Sequence, residues 1–513
     1  MSSSGVAGPR SPRAVTERGS PDDLCEQFVL AGTLDGPPGW ATHCIGDWTL
    51  AAHPTLPVVT VADPAETTIG WLLGYPITSE GELLVNDSRI TLGGEPLELV
   101  DALGGRFLAL FVGTTNPAIY PDAAGTYSSV YCPSLRMAAS TGALIPYDTT
   151  TTDHTELVEQ LGIPGTTSML PVGLTSRRGI HRLLPHHHLD LQRWEMVRHG
   201  PTWEPSGTAT VEEAAARVAA ATQRNLSALI GSFPCYLPLT AGRDSRMLLA
   251  CSREWSAELA SYTVALPGLD AATDCHVAAR IARGAGIDHQ RLRLRPPQAD
   301  DLERWMYRTS CSVGEPRGWA ANTTFRALDR RRVRLLGNIG DIARRAYVTP
   351  DDHADDTITV ERLLVHALRH RGQLTSGQAL AAASPTVLDQ LDRWIQQVET
   401  DDALQILDMF YLENRIGCWA GVWSYAEYFG PGFTIFPTCH RDIVADVMAI
   451  SRRDRAEGTL FVEVIRQQWP ELLGWPMNVA PRRVELSQFP RRVARRLRRV
   501  GGRLGTAGVR TSS

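Results

Sequence analysis

The segment from Phe233 to Ala250 reads Phe-Pro-Cys-Tyr-Leu-Pro-Leu-Thr-Ala-Gly-Arg-Asp-Ser-Arg-Met-Leu-Leu-Ala, and it is where this chain's residues best suggest chemistry. An apolar run of strand formers, Cys235 to Leu239, breaks at Thr240-Ala241-Gly242, and a helical pattern restarts from Asp244 with Met247, Leu248 and Leu249 apolar. A strand, a small-residue turn and a helix start leave several backbone N–H groups pointing one way, which suits an anion such as phosphate. Asp244 within such a nest would repel phosphate unless a cation sat between them. The pattern points to a Mg2+-bound nucleotide phosphate, with Ser245 as a hydroxyl donor. Taken bare, it is equally the pattern of an ordinary strand-to-helix turn.

Other segments reduce that ambiguity. Thr240-Ala241-Gly242-Arg243-Asp244-Ser245 resembles the pyrophosphate-binding motif Ser-Gly-Gly-x-Asp-Ser of the asparagine synthetase family of N-type ATP pyrophosphatases. Leu336 to Tyr347, containing Gly337, Gly340 and Asp341, resembles that family's Gly-x-Gly-Gly-Asp-Glu motif and the tyrosine after it. Between them, Ala260 to Gly268 reads as the next strand. Asp274 to Ala282, closed by Gly286-Ile-Asp-His289, resembles the family's helix and its Gly-x-x-His ending.

The resemblance implies an α/β fold: an amino-terminal glutaminase-like (Ntn-type) β-rich sandwich and a carboxy-terminal adenine-nucleotide α-hydrolase-like parallel sheet with helices. It implies ATP and Mg2+ as cofactors. Pyrophosphate would lie on Thr240, Ala241, Gly242, Arg243, Asp244 and Ser245 with Gly337 and Gly340 nearby. Asp244 and Asp341 would hold the metal, and adenine would contact backbone near Leu239 and Val264. A substrate carboxylate would attack the α-phosphorus to give an acyl-adenylate and pyrophosphate, and an amine would then release AMP. Tyr347 and Glu413 stand where β-lactam-forming relatives imply a proton-abstracting pair. A structural ion pair between Glu413 and Arg415 is the plainer reading.

The sequence departs from the family pattern. Ala241 and Ile339 replace glycines, and Ile342 replaces an acid. A non-glycine residue forced to positive φ costs on the order of 1 kcal/mol or more. All 51 basic residues are arginine, so no lysine ammonium can clamp a phosphate or acyl-adenylate. Arg466, Arg482 and Arg483 are the candidate substitutes.

The elements that must position these residues divide near the Pro/Gly-rich stretch His199 to Gly207. After it, Thr210-Val-Glu-Glu213 forms a capping box for a helix over 214–230. Before it, Gln27–Leu30, Trp48–Ala52, Val58–Val61 and Phe107–Val112 read as strands. Phe107 to Val112, Tyr120 to Tyr127 and Gly179 to His186 resemble the glutaminase-like domain. That domain uses an amino-terminal cysteine, whereas Ser2 follows Met1 here and Cys25 starts no Cys-Gly-Ile sequence. Glutamine hydrolysis is expected to be lost. The expected divisions are a disordered tail over 1–23, a glutaminase-like domain over 24–198, an ATP pyrophosphatase domain over 208–480 and an Arg-rich tail over 481–513.

Composition fits a multidomain globular protein of 513 residues with 43% hydrophobic and 21% charged residues. No apolar stretch approaches the roughly 18–20 residues that span a bilayer. Nine scattered cysteines without a Cys-x-x-Cys pair suit reduced thiols and a cytoplasmic location. From Pro481 onward there are ten arginines and one acid. Phe489, Val493, Leu497, Val500 and Leu504 make an apolar stripe there, for the protein body, an anionic membrane surface or an acidic partner. No nucleic-acid partner is expected, since aromatic residues do not interleave with these arginines. His186-His187-His188 reads as a basic surface turn and not a metal cluster. Asp351, Asp352, Asp355 and Asp356 read as a solvated loop.

The expected activity is ATP-dependent carbon–nitrogen ligation, joining a small-molecule or peptide carboxylate to ammonia or an amine. An intramolecular amide-forming cyclase of β-lactam or lasso-peptide type, and a non-catalytic nucleotide-binding scaffold, are the alternatives.

Overall fold

The computed structural model describes residues 11–165, 168–201, 203, 206–266, 269–296, 298, 300–314, 324–337, 340, 342–343, 347–349, 351–368, 383–426 and 433–479. The fold is mixed α/β, with antiparallel sheets in the first half and a parallel sheet with helices in the second.

Two antiparallel-rich sheets stack in the first half. The six-stranded sheet runs in the order His181–Arg182, Val130–Cys132, Met137–Ala139, Phe28–Ala31, Trp48–Ala52, Ala41–Ile45. The seven-stranded sheet runs Glu195–Arg198, His187–Asp190, Ala118–Pro121, Gly104–Phe111, Thr68–Ile77, Val58–Ala62, Arg89–Thr91. Side-chain alternation decides which layer each residue joins. Phe28, Leu30, Leu50 and Ala52 meet Trp71, Leu73, Leu108 and Leu110 between the sheets. Phe107, Ala109 and Phe111 point the other way, onto Val59, Val61 and the helix Pro96–Ala102 through Val100. Val29, Ala31 and Ala51 join the core shared with the second half. Gly104–Phe111 is consequently buried along its whole length.

The second half is built on a five-stranded all-parallel sheet. In chain order its strands are Cys235–Pro238, Leu259–Ala265, Asp288–Arg293, Val333–Leu335 and Thr434–Ile435. In space they lie third, second, first, fourth, fifth. The first strand is therefore central, and the turn following it opens where the strand order reverses, the usual ligand crevice of such sheets. Leu237, Leu239, Leu248, Leu249, Ala278 and Ile281 share one core, and Tyr236, Tyr262, Leu292 and Leu328 form another. The helix Val211–Ser232 carries the expected capping box, with Thr210 and Glu213 satisfying each other's backbone N–H.

Residues 11–23, expected to be disordered, are ordered. Ser11 caps a helix over Pro12–Thr16, Ser20 caps a single turn over Pro21–Asp23, and Val15 is buried in the main core. The Ser and Pro content that suggested disorder instead supplies two N-caps and two first-turn prolines. The Arg-rich segment and its apolar stripe lie outside the described residues.

Candidate active site

The turn after the central strand is held from several directions. Leu239 N–H donates to Tyr262 O at 3.0 Å, and the Thr263 hydroxyl donates to Leu239 O at 2.7 Å. The Leu239 N–H is thus committed to the neighbouring strand, while its carbonyl keeps a second lone pair. Val264, the other expected contact, is half-buried and packs beside Tyr236 and Tyr262. Thr240 N–H donates to Ser245 Oγ at 3.2 Å, and Gly242 N–H to Thr240 Oγ1 at 3.0 Å. Ala241 N–H donates to Asp274 Oδ1 at 2.8 Å. Three donors of the expected anion nest are therefore bonded within the protein. The turn's remaining donors belong to the first turn of the helix Arg243–Cys251, which the helix itself cannot satisfy.

The feared backbone strain is absent from the first motif. Ala241 is not among the residues with positive φ, and Gly242 sits at φ −72°. Below the turn, the buried guanidinium of Arg246 donates to Leu472 O, Trp475 O and Pro476 O, and Asn478 N–H donates to Ala241 O. The carboxy-terminal segment is thereby tied to the loop. Arg243 donates to Glu457 O at 2.9 Å.

The second motif meets the first at Asp244. A Cβ at Gly337 would fall 2.9 Å from Asp244 Cβ, and one at Gly340 would fall 2.9 Å from Asp244 Oδ1 and 3.0 Å from the Phe461 ring. Both glycines are needed for this approach, because a Cβ at Gly337 would press on Asp244 Cβ and one at Gly340 on its carboxylate oxygen. Ile342 follows in a fixed place: Arg455 donates to its carbonyl at 3.0 Å and pairs with buried Asp408 at 2.9 Å. Asp341 and Ile339 lie outside the described residues. Among those described, no three His, Cys, Asp or Glu side chains gather as a metal site.

Tyr347 and Glu413 occupy different surroundings. Tyr347 is buried, stacked on His366 at 4.3 Å and edge-on to Tyr411. Glu413 lies fully buried in a wide-turned helical stretch, Tyr411–Ala420. It takes two hydrogen bonds from Arg198, at 2.7 and 2.9 Å, one from Trp394 Nε1 at 2.7 Å, and meets His186 Nδ1 at 3.3 Å. Burial pushes its pKa up, but Arg198 and the hydrogen bond from His186 outweigh this and hold it well below the usual carboxylate range. A carboxylate so paired is a poor proton acceptor, so the geometry gives Glu413 a clamping role and not that of a base. Its partner is Arg198, where Arg415 was expected; Arg415 lies over the Trp419 ring at 3.6 Å.

The same cluster corrects the reading of the histidine run. His186 and His187 are buried, and His187–Asp190 is a strand, not a surface turn. Spacing within the run carried no sign of this, because Glu413 is 227 residues from His186. Asp352 binds Arg362 at 2.6 Å and Asp356 accepts from His353 N–H at 2.7 Å, within the exposed loop expected there. Of the arginines suggested in place of lysine, Arg466 is half-exposed and pairs with Glu463, while Arg482 and Arg483 lie outside the described residues.

In the sandwich, Cys25 stands just before the first strand, half-buried, with its thiol pushed up to about 11 by burial. It stays protonated at neutral pH. Beside it, buried Glu26 binds Arg106 at 2.6 Å and accepts from the Tyr75 hydroxyl at 2.7 Å. Glu26 and Arg106 are 80 residues apart, so nothing local marks this pair. Asp274 was also missed as a loop contact, since it appeared only as an acid opening a helical pattern.

No protein-family model matches the chain, and no curated protein does. Among solved structures, the glutamine-dependent NAD+ synthetase from Acinetobacter baumannii in complex with adenosine diphosphate aligns with a TM-score of 0.19 and 12% identity, over 45% of this chain and 53% of that one. The chain thus spans about half the length of that synthetase. Likeness at this level assigns neither family nor activity. No described helix is long and apolar enough to cross a membrane.

Proposed function

We propose that the chain is an ATP-dependent ligase of asparagine synthetase-like type, which adenylates a carboxylate and joins it to ammonia or an amine. The reading rests chiefly on the meeting of Asp244 with Gly337 and Gly340 at the carboxyl end of a parallel sheet. Asp244 and Asp341 would hold Mg2+, and Thr240 to Ser245 would face the pyrophosphate. The metal would neutralise charge on the leaving pyrophosphate. The chain's own part is to hold the loop on Ser245 and Asp274, to keep side chains off Asp244 through the two glycines, and to fix the second motif through Arg455. An intramolecular cyclase is the variant in which carboxylate and amine belong to one substrate.

A second reading has an observation of its own. Ala241 and Gly242 N–H groups are already bonded to Asp274 and Thr240, which suits a scaffold that does not turn ATP over. Incubating the protein with Mg·ATP, ammonia and a panel of amino-acid and peptide carboxylates separates the two. Carboxylate-dependent AMP formation supports the ligase. No AMP with any carboxylate, while calorimetry still registers ATP binding, would leave the scaffold.

A further inference from the structure

The strand Asp288–Arg293 lies at the edge of the parallel sheet and, among the described residues, pairs only with Leu259–Ala265. Its sequence runs Arg291-Leu-Arg293-Leu-Arg295. Side chains two apart on a strand share a face, so Arg291 and Arg293 form a row that Arg295 continues just past the strand end. All three arginines are exposed, and Leu294 beside them is 38% exposed. Arg291 sits by the Cys275 thiol, and none of the three enters an ion pair among the described residues.

We propose that this edge binds an extended acidic polypeptide segment, added as a sixth strand with carboxylates at alternate positions opposite the arginine row. Edge strands pair readily with another chain through their unused backbone groups, and charge decides which chain is admitted. A second copy of this strand would set arginine against arginine and be repelled. A strand with acids at every second position would place opposite charges directly across. The same arginines that guard the edge against self-association thus select an acidic partner.

Placement links this surface to the candidate active site, and only this link rests on the proposed ligase activity. A sixth strand would run three spacings from the central strand, about 14 Å at about 4.8 Å each. At about 3.3 Å per residue, four or five residues beyond the paired segment cover that distance. The edge would then present a peptide carboxylate, lying that far from its acidic stretch, to the turn at Thr240–Ser245.

The test uses the full chain without nucleotide. Fluorescence anisotropy is measured with a labelled heptapeptide carrying glutamate at alternate positions, with glutamine and lysine versions, and with single-stranded DNA of similar length. The expected result is glutamate binding at least tenfold tighter than glutamine, weakening with salt. The double variant Arg293→Glu, Arg295→Glu should lose at least tenfold for the glutamate peptide and gain for the lysine peptide, a reversal that misfolding cannot produce. Equal binding of glutamate and glutamine peptides, indifference to the substitutions, or tighter binding of DNA than of the peptide overturns the proposal. Because no ATP is present, failure here leaves the ligase reading standing, and absence of AMP formation leaves the docking edge standing.

Discussion

The Cβ position of Gly340 lies 2.9 Å from Asp244 Oδ1, so two segments almost a hundred residues apart in sequence meet at one carboxylate. Gly340→Ala puts a methyl group against that oxygen and against Phe461. Overpacking of this kind costs about 1–3 kcal/mol, and here it would also move the acid. Under the ligase reading, urea melts should show that modest loss while AMP formation falls at least tenfold. Loss of stability with unchanged turnover would separate the glycine from the chemistry.

Glu413 gives a contrasting case. Glu413→Gln removes the charge that balances Arg198, a residue itself largely buried. Breaking one side of a buried pair costs about 3–5 kcal/mol. The expected outcome is a large drop in melting temperature, with the folded fraction retaining its activity per molecule at low temperature. A variant as stable as wild type but inactive would restore the role of base.

How far the sequence foretold these two sites differs for a physical reason. The turn at Thr240–Ser245 and the capping box at Thr210–Glu213 are local, so spacing alone placed them. The strand Trp48–Ala52 was likewise evident from composition and punctuation, and the run Phe107–Val112 marked most of the strand observed over Gly104–Phe111. The bonds from Glu413 to Arg198 and His186 span more than two hundred residues, and nothing local marks them. Asp274 is intermediate: the helix carrying it was expected, but its capture of the Ala241 N–H depends on how two strands pair.

Buried histidine should make the fold acid-sensitive. Burial pulls the pKa of His187 down to about 4, with Arg198 reinforcing this and Glu413 opposing it. A base depressed in the folded state stays neutral there while the unfolded chain takes up a proton below about 6.5. Stability present above about pH 6.5 is therefore lost as pH falls toward about 4, at about 1.4 kcal/mol per pH unit for this one group. Urea melts across that window should show a shallower slope for His187→Gln. An unchanged slope would mean His187 carries its proton into the folded state.

Nitrogen transfer should not depend on Cys25. With its thiol pushed up to about 11, the residue supplies almost no thiolate at neutral pH. Under the ligase reading, Cys25→Ser should leave ammonia-dependent AMP formation unchanged, and glutamine should be no better a donor than buffer for either protein. Glutamine use that vanishes in Cys25→Ser would reinstate the sandwich as a working glutaminase.

The most direct measurement is carboxylate-dependent exchange of labelled pyrophosphate into ATP, compared between wild type and Asp244→Asn. The ligase account predicts exchange in the wild type and a fall of at least a hundredfold in the variant, with its melting curve little changed. Equal exchange by the two proteins would contradict it, because Asp244 would then lie outside the chemistry.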